Sequence, residues 1–179
     1  EMVMHLLWLI PVLPLLGAAF NGILGKRLPK AVIGVIGAGT VLGSFLISAT
    51  AFWQMLQMDS ARDLPIITNY FTWIQAGTFD ANFGLMLDHL SGLMILIVTG
   101  VGFLIHVYSI GYMHDDPGFY RYFAYLNLFT FSMLMLVLAN NYLLMFVGWE
   151  GVGLCSYLLI GFWFTRKSAA DAGKKAFIV

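Results

Sequence analysis

The chain has 179 residues, of which 60% are hydrophobic and only 10% are charged, and its formal net charge is zero. A soluble domain of this length cannot bury so much apolar surface, so the composition predicts a membrane protein. The balanced charge excludes an electrostatic surface for nucleic acid. The single cysteine, Cys155, lies inside an apolar segment and supports neither a disulfide nor a cysteine-based metal site.

Five apolar segments are long enough to span a bilayer, and they predict an all-α polytopic bundle in one membrane domain, residues 1–179. Their expected limits are residues 2–25, 31–57, 84–108, 122–139 and 141–164, with a sixth helix beginning near residue 168. The first segment is too long for a cleaved signal peptide, and its positive charges follow the apolar run, so we expect it to remain. Pro11 and Pro14 remove backbone hydrogen bonds there, which neighbouring helices can compensate.

The second segment and the connection after it carry different signals. Gly39 and Gly43 form a GxxxG spacing, which predicts close packing inside the bundle, with a homodimer as the alternative. Residues 59–82 contain two runs rich in strand-forming residues, IITNYFTWI and GTFDANF, separated by Gln-Ala-Gly. This pattern predicts a short extramembrane β-hairpin lying on the outer surface.

The charges of the connections predict an orientation. The first connection is basic through Lys26, Arg27 and Lys30, and the fifth is basic through four lysine and arginine residues against one aspartate. The second connection is acidic, and the third, slightly acidic connection is the weakest indicator. Because positive loops stay in the cytoplasm, we expect the odd-numbered connections to face the cytoplasm and the N-terminus to lie outside.

Glu150 is the most informative residue of the fifth segment. Nine residues separate it from Asn141 and fourteen from Phe164, which places it about 14 Å and 21 Å from the two ends of a helix. A charge at that depth costs about 2.5–3.5 kcal/mol, so a carboxyl there indicates a functional group. The predicted face around it is mostly apolar, which favours a buried, proton-exchanging carboxyl. The alternative is a glutamic acid that stays protonated in a fixed hydrogen bond.

Two further features of the same helices bear on proton transfer. Glycines at 148, 151 and 153 surround Glu150, where they allow close approach by another helix or leave room for water. His106 lies near the far end of the third segment. A histidine can relay protons near neutral pH, or it can satisfy the end of a helix.

Several stretches of the sequence resemble a known family: GLMLDHLSGLM, GFLIH with YSIGYM, RYFAYLNLF and GWEGVGLCSYLLIGFW. They make the chain similar to the large antiporter-like subunit of respiratory NADH:quinone oxidoreductase, which is subunit L in bacteria and subunit 5 in mitochondria. The resemblance covers nearly the whole chain and is weaker over the first 80 residues. It implies roughly the first third of the family's chain, and part of an inverted-repeat fold with half-channels near the membrane midplane.

The resemblance also implies a function. The chain would translocate protons as a subunit of an oxidoreductase, coupled to quinone reduction elsewhere in the complex. Glu150 matches the family's glutamate on the fifth helix, whose usual lysine partner lies on a seventh helix. Lys175 matches a lysine at the start of the sixth helix, where proton uptake from the cytoplasm or a simple interfacial anchor is expected. His106 is a candidate relay.

Cofactors and partners follow from the same resemblance. No cofactor is expected in this chain, since NADH, FMN, the iron–sulfur clusters and quinone would belong to partner subunits. The expected partners are the other membrane subunits of the complex and the lipid bilayer, in a bacterial inner membrane rather than a mitochondrial one. Two alternatives remain open, namely the large subunit of a multisubunit Na⁺(K⁺)/H⁺ antiporter and an inactive membrane fragment.

Overall fold

The computed structural model describes residues 9–56, 66–76, 79–87, 89–113, 118–139, 142–162 and 166–178. The helices in these ranges are α1 (Leu9–Leu24), α2 (Lys30–Leu56), α3 (His89–Tyr112), α4 (Phe119–Leu138), α5 (Tyr142–Ile160) and α6 (Lys167–Ile178). A short 3-10 turn, Gly25–Arg27, follows α1. The antiparallel strands β1 (Ile66–Ala76) and β2 (Phe79–Leu87) lie between α2 and α3 in the chain.

Long apolar helices dominate the part of the chain that the structure describes. Four of them have the length and composition needed to cross a membrane: Lys30–Gln54, Leu90–Tyr112, Phe119–Leu138 and Leu143–Ile160. The helix α1 is also apolar, with 16 described residues, and its predicted start at residue 2 lies outside the described residues. The predicted all-α membrane class is therefore confirmed.

The largest difference from the predicted boundaries is at the start of α3, which the sequence placed at residue 84. Residues 84–87 instead continue β2, where Gly84 pairs with Asn69 and Leu87 pairs with Ile66. The run Gly-Leu-Met-Leu has no polar alternation, so periodicity alone cannot separate a buried strand from a helix. The helix then extends to Tyr112, four residues beyond its predicted end at 108.

The other boundary differences are smaller. The helix α4 begins at Phe119 instead of residue 122, and α6 begins at Lys167 instead of residue 168. The helix α5 ends at Ile160, because the chain turns at Gly161, and residues 163–165 lie outside the described residues. The predicted end of this helix at residue 164 is therefore wrong.

A proline inside α1 is compensated by the neighbouring helix. Pro14 has no N–H to donate to the carbonyl of Ile10, four residues earlier. Ser44 of α2 supplies the missing donor, since its hydroxyl donates to the Ile10 carbonyl oxygen at 2.7 Å, and both residues are fully buried. The pair α1 and α2 therefore completes one hydrogen-bond system across two helices.

The bundle has an apolar core near each end. The first, which we name the hairpin-end core, joins the end of β2 to the helices and contains Ile10, Ala51, Leu85, Leu87, Ile95, Leu134, Met135, Leu138, Ala139 and Leu144. Leu85 also forms an isolated bridge with Ala139 just after α4. The second, which we name the basic-end core, contains Ile33, Met113, Phe119, Phe123 and Phe162.

Cations gather around the basic-end core. Lys30 lies over the ring of Phe119 with its Nζ 5.9 Å from the centroid, and the guanidinium of Arg121 lies 5.1 Å from the centroid of Phe162. These contacts bring the start of α2, the start of α4 and the segment after α5 to one end of the bundle. The first, third and fifth connections therefore share that end.

Candidate functional site

Glu150 lies on an exposed face of α5, and this corrects the expectation of a buried carboxyl within this chain. Its helical neighbours Phe146 and Leu154 are 58% and 47% exposed, and Trp149 beside it is 67% exposed. The apolar wall that the sequence predicts is therefore present as residues, but no described part of the chain covers it. The sequence showed what the face contains, whereas its covering depends on elements that are distant in sequence.

The opposite side of α5 packs closely against α4. A Cβ on Gly148 would lie 2.7 Å from the backbone nitrogen of Leu136, and one on Gly151 would lie 2.6 Å from the hydroxyl oxygen of Ser132. Gly153 faces open space. Of the two roles considered for these glycines, close helix approach therefore applies at 148 and 151. Cys155, 1% exposed, completes the buried side.

A groove between α5 and α6 continues from the face that carries Glu150. Leu154 and Tyr157, four and seven residues after Glu150, lie on the same face and line a cavity of about 370 Å³ together with Lys174. Tyr157 and Lys174 also line a second cavity of about 270 Å³, which Arg121 borders from α4. The predicted site residue Lys175 is exposed on α6 and is absent from the residues that line these two cavities.

His106 is fully buried and belongs to a hydrogen-bonded cluster. Its Nδ1 lies 2.7 Å from the carbonyl oxygen of Gly102, and its Nε2 lies 2.6 Å from Oδ1 of Asn127 on α4. The amide nitrogen of Asn127 donates to the hydroxyl of Thr40 on α2 at 3.2 Å, and Thr40 donates to the carbonyl of Gly37 at 3.0 Å. We name His106, Asn127 and Thr40 the polar junction.

Small residues make room for the polar junction. A Cβ on Gly17 of α1 would overlap the amide nitrogen of Asn127 and would lie 2.7 Å from the hydroxyl oxygen of Thr40. A Cβ on Gly37 of α2 would lie 2.7 Å from the ring of Phe123, which itself packs 5.9 Å from the imidazole, centroid to centroid. Four helices therefore meet at the junction, and the two apolar cores lie on either side of it.

Among the described residues, only one of the predicted site residues contacts other polar side chains. His106 joins Asn127 and Thr40, whereas Glu150 and Lys175 lie on the exposed faces of α5 and α6. The sequence analysis missed Asn127 and Thr40. An amide inside an apolar spanning helix is itself a signal, because polar side chains in such helices face partners within a bundle.

Two family models match the chain. One, described as "NADH-Ubiquinone oxidoreductase (complex I), chain 5 N-terminus", matches residues 73–123. The other, described as "NADH:quinone oxidoreductase/Mrp antiporter, TM", matches residues 139–179. The two matched regions contain His106, Glu150 and Lys175.

Curated relatives match nearly the whole chain. NADH-quinone oxidoreductase subunit L of Mycobacterium tuberculosis is 49% identical over 175 residues, which are 98% of this chain and 27% of that protein. Subunit L of Neisseria meningitidis serogroup A is 42% identical over 180 residues, 98% of this chain and 26% of that protein. NADH-ubiquinone oxidoreductase chain 5 of Podospora anserina is 43% identical over 169 residues, 94% of this chain and 25% of that protein. The chain spans about a quarter of the length of these relatives.

Proposed function

Because the chain belongs to the family of antiporter-like membrane subunits of NADH:quinone oxidoreductase, named subunit L or chain 5, we propose that it is the N-terminal part of a proton-translocating subunit. The observation that carries this proposal is the position of Glu150. It lies seven residues from Leu143 and ten from Ile160, the ends of an apolar span, or about 10 Å and 15 Å along the helix axis. A carboxyl at that depth is a functional group by default.

The exposed face around Glu150 fits a protein longer than this chain. The relatives are about four times as long, so a protein of their length has further segments that can cover Phe146, Glu150 and Leu154. We expect a lysine on a later helix to face Glu150. Burial against such a cation lets the carboxyl hold its charge, and movement of the cation returns the carboxyl to its protonated form.

Proton transfer in this proposal is driven from outside the chain. Glu150 gains or releases a proton when the charge that faces it changes. We assign the redox chemistry that causes this change, with NADH, FMN, the iron–sulfur clusters and quinone, to partner subunits. This chain contributes the carboxyl, the close contact of α5 with α4 that fixes its position, and the groove that leads along α5 to Tyr157 and Lys174.

Lys175 is our candidate for proton uptake. It is exposed on α6, and it follows Lys174, which lines both cavities of the groove. Lys175→Gln is expected to slow proton pumping at unchanged assembly, while Lys175→Arg keeps the charge and most of the rate. Equal pumping by the glutamine variant and the native protein would leave only the role of a surface anchor.

The proposed orientation places the basic end of the bundle in the cytoplasm. The cation contacts of Lys30 and Arg121 bring three connections to that end, which agrees with the distribution of lysine and arginine along the chain. Labelling of single cysteines from either side of the membrane tests this orientation. A cysteine at position 30 that reacts from the outside would reverse it.

The central test replaces Glu150 by glutamine in the full-length subunit of the assembled complex. The amide keeps the shape of the side chain but cannot titrate, so the protons pumped per NADH oxidised are expected to fall. Ser156→Ala on the same helix is the matched control, since it also removes a polar group and is expected to leave pumping unchanged. Undiminished pumping by the Glu150→Gln complex would contradict the assignment.

Cation antiport is the second candidate function, because the model that matches residues 139–179 also covers Mrp antiporters. In that case the same carboxyl would exchange protons against Na⁺ or K⁺. Membrane vesicles distinguish the two functions. Proton movement that requires Na⁺ or K⁺ and proceeds without NADH would favour antiport, whereas movement that requires NADH and no added cation would favour the respiratory function.

A further inference from the structure

The hydrogen-bond partners of His106 are compatible with a charged ring. The carbonyl oxygen of Gly102 can only accept a hydrogen bond, so Nδ1, at 2.7 Å, must carry a proton. With the Asn127 amide oriented so that Oδ1 lies 2.6 Å from Nε2, this second nitrogen carries a proton as well, because Oδ1 can only accept. An imidazole with two protonated nitrogens is a cation.

In this orientation the Asn127 amide also bonds to Thr40. Its Nδ2 donates to Thr40, whose hydroxyl donates in turn to the carbonyl of Gly37. This sequence of donors runs in one direction, from the imidazole through the amide to the hydroxyl and the backbone. Rotation of the amide by 180° exchanges Nδ2 and Oδ1 and reverses the first two bonds.

We propose that the polar junction is a proton-binding site in which His106 alternates between charged and neutral forms and the side-chain amide of Asn127 rotates with it. In the neutral form the N–H bond at Nε2 has broken and the proton has passed to water. Nδ2 of Asn127 then donates to the Nε2 lone pair, and the hydroxyl of Thr40 donates to Oδ1. The inference rests on the proposed proton translocation and adds a second titrating site to it.

The charged and neutral forms both provide hydrogen bonds to the same buried atoms. The same helix packing can therefore hold either form. In each form, every contact between His106, Asn127 and Thr40 places a hydrogen-bond donor opposite an acceptor. In the neutral form Thr40 no longer donates to the Gly37 carbonyl. That carbonyl lies within α2 and keeps the backbone N–H donor that helix geometry provides. The exchange therefore needs no movement of the helices.

Within the described part of the chain, the surroundings hold the charge only through dipoles. No aspartate or glutamate occurs in the described residues of α1, α2, α3 or α4. The cations on these helices are Lys30 and Arg121, both at the basic end, and Tyr122 contacts Ser109 at 3.5 Å. A cavity of about 220 Å³ beside His106 is lined almost entirely by apolar side chains. Without a carboxylate counter-ion, the imidazolium can surrender its proton.

A buried acceptor lies close to the polar junction. Asn21 is fully buried on α1, one helical turn after Gly17, which places it on the face that meets Asn127. Its Nδ2 donates to the Ile33 carbonyl at 3.4 Å, and its Oδ1 has no hydrogen-bond partner among the described residues. Such an acceptor suits the water molecule that receives the proton. Asn21 lies toward the basic end, so the route leads to that side.

The test is a solid-state NMR titration of the complete complex in lipid, with nitrogen-15 in its histidine and asparagine side chains. The His106→Gln variant identifies the His106 signals. We expect two protonated ring nitrogens at low pH and one at high pH, and a change of the Asn127 amide signals with the same midpoint. A ring that keeps one protonation state throughout, charged or neutral, overturns the proposal, as does an Asn127 amide that does not respond.

Variants of Asn127 predict the direction in which the titration midpoint of His106 shifts. Asn127→Asp adds a carboxylate beside Nε2 and is expected to extend the charged form to higher pH by about one unit or more. Asn127→Leu removes the acceptor and is expected to restrict the charged form to lower pH. Thr130→Val, which removes a hydroxyl bonded only within α4, is the matched control. Equal midpoints in the two Asn127 variants would contradict the proposal.

The result is independent of Glu150. The titration reads the protonation of His106 directly, while the Glu150→Gln test reads proton pumping. The His106 site can therefore titrate even if Glu150 proves dispensable, and the pumping assignment can hold with a His106 that never changes its charge. Failure of one proposal does not imply failure of the other.

Discussion

Gly148→Ala gives a sharp prediction about how α5 is held in place. The added Cβ would lie 2.7 Å from the backbone nitrogen and 2.9 Å from the Cα of Leu136, where ordinary van der Waals contact begins at 3.4 Å. Since backbone atoms cannot rotate aside, α5 must move away from α4 by about 0.7 Å, the shortfall in the nearer contact. Gly153→Ala is the matched control, because its Cβ would meet no described residue within 4 Å.

The magnitude follows from two opposing effects. Overpacking costs about 1–3 kcal/mol, and the better helix propensity of alanine offsets about 1 kcal/mol of this. We expect Gly148→Ala to destabilise the full-length subunit by about 1–2 kcal/mol, and Gly153→Ala to stabilise it by up to about 1 kcal/mol. Unfolding of the purified subunit in mixed micelles, titrated with a denaturing detergent, measures both. Equal stability of the two variants would refute the close contact of α5 with α4.

Three other predictions concern packing and hydrogen bonds. Ser44→Ala leaves the Ile10 carbonyl without its side-chain donor and should destabilise the bundle by about 1 kcal/mol. Pro14→Ala should recover that stability in the double variant, because alanine returns a backbone N–H to the same carbonyl. A double-mutant cycle of unfolding measurements that shows no coupling between the two changes would contradict this. Phe123→Ala opens a cavity in the basic-end core and should lower the free energy of unfolding by about 3 kcal/mol in the same assay. Phe123→Leu should lower it less. Equal losses of stability in the two variants would argue against tight packing. Cys155, 1% exposed, should resist maleimide labelling in the folded subunit and react after unfolding; rapid labelling of the folded subunit would disprove its burial.

The sequence predicted the membrane class and the compensation of a proline, because both follow from residue type and local hydrogen-bond counting. The exposure of Glu150 within this chain was not predicted, since the cover of an α5 face depends on packing that local sequence does not encode. The predicted start of α3 at residue 84 was wrong, because an apolar run at residues 84–87 suits a strand as well as a helix.

The glycine spacing in α2 and the polar junction also show that contacts between distant segments cannot be predicted from local sequence. Of the GxxxG pair in α2, a Cβ on Gly43 would lie 3.3 Å from Leu13 of α1, but one on Gly39 would meet nothing within 4 Å among the described residues. Gly37, outside that motif, makes the closer approach. Asn127 lies in an apolar helix and could have been noticed as a polar residue, but its pairing with His106 requires the packing of α3 on α4.

The bond from Ser44 to Ile10 bears on how the chain is built into the membrane. The helix α1 entering lipid alone would carry a carbonyl that its own backbone cannot pair, which costs several kcal/mol in hydrocarbon. Only a short turn of the chain, residues 25–29, separates α1 from α2. Biogenesis therefore favours a helical hairpin as the first unit to leave the insertion machinery, with both arms partitioning together instead of one after the other.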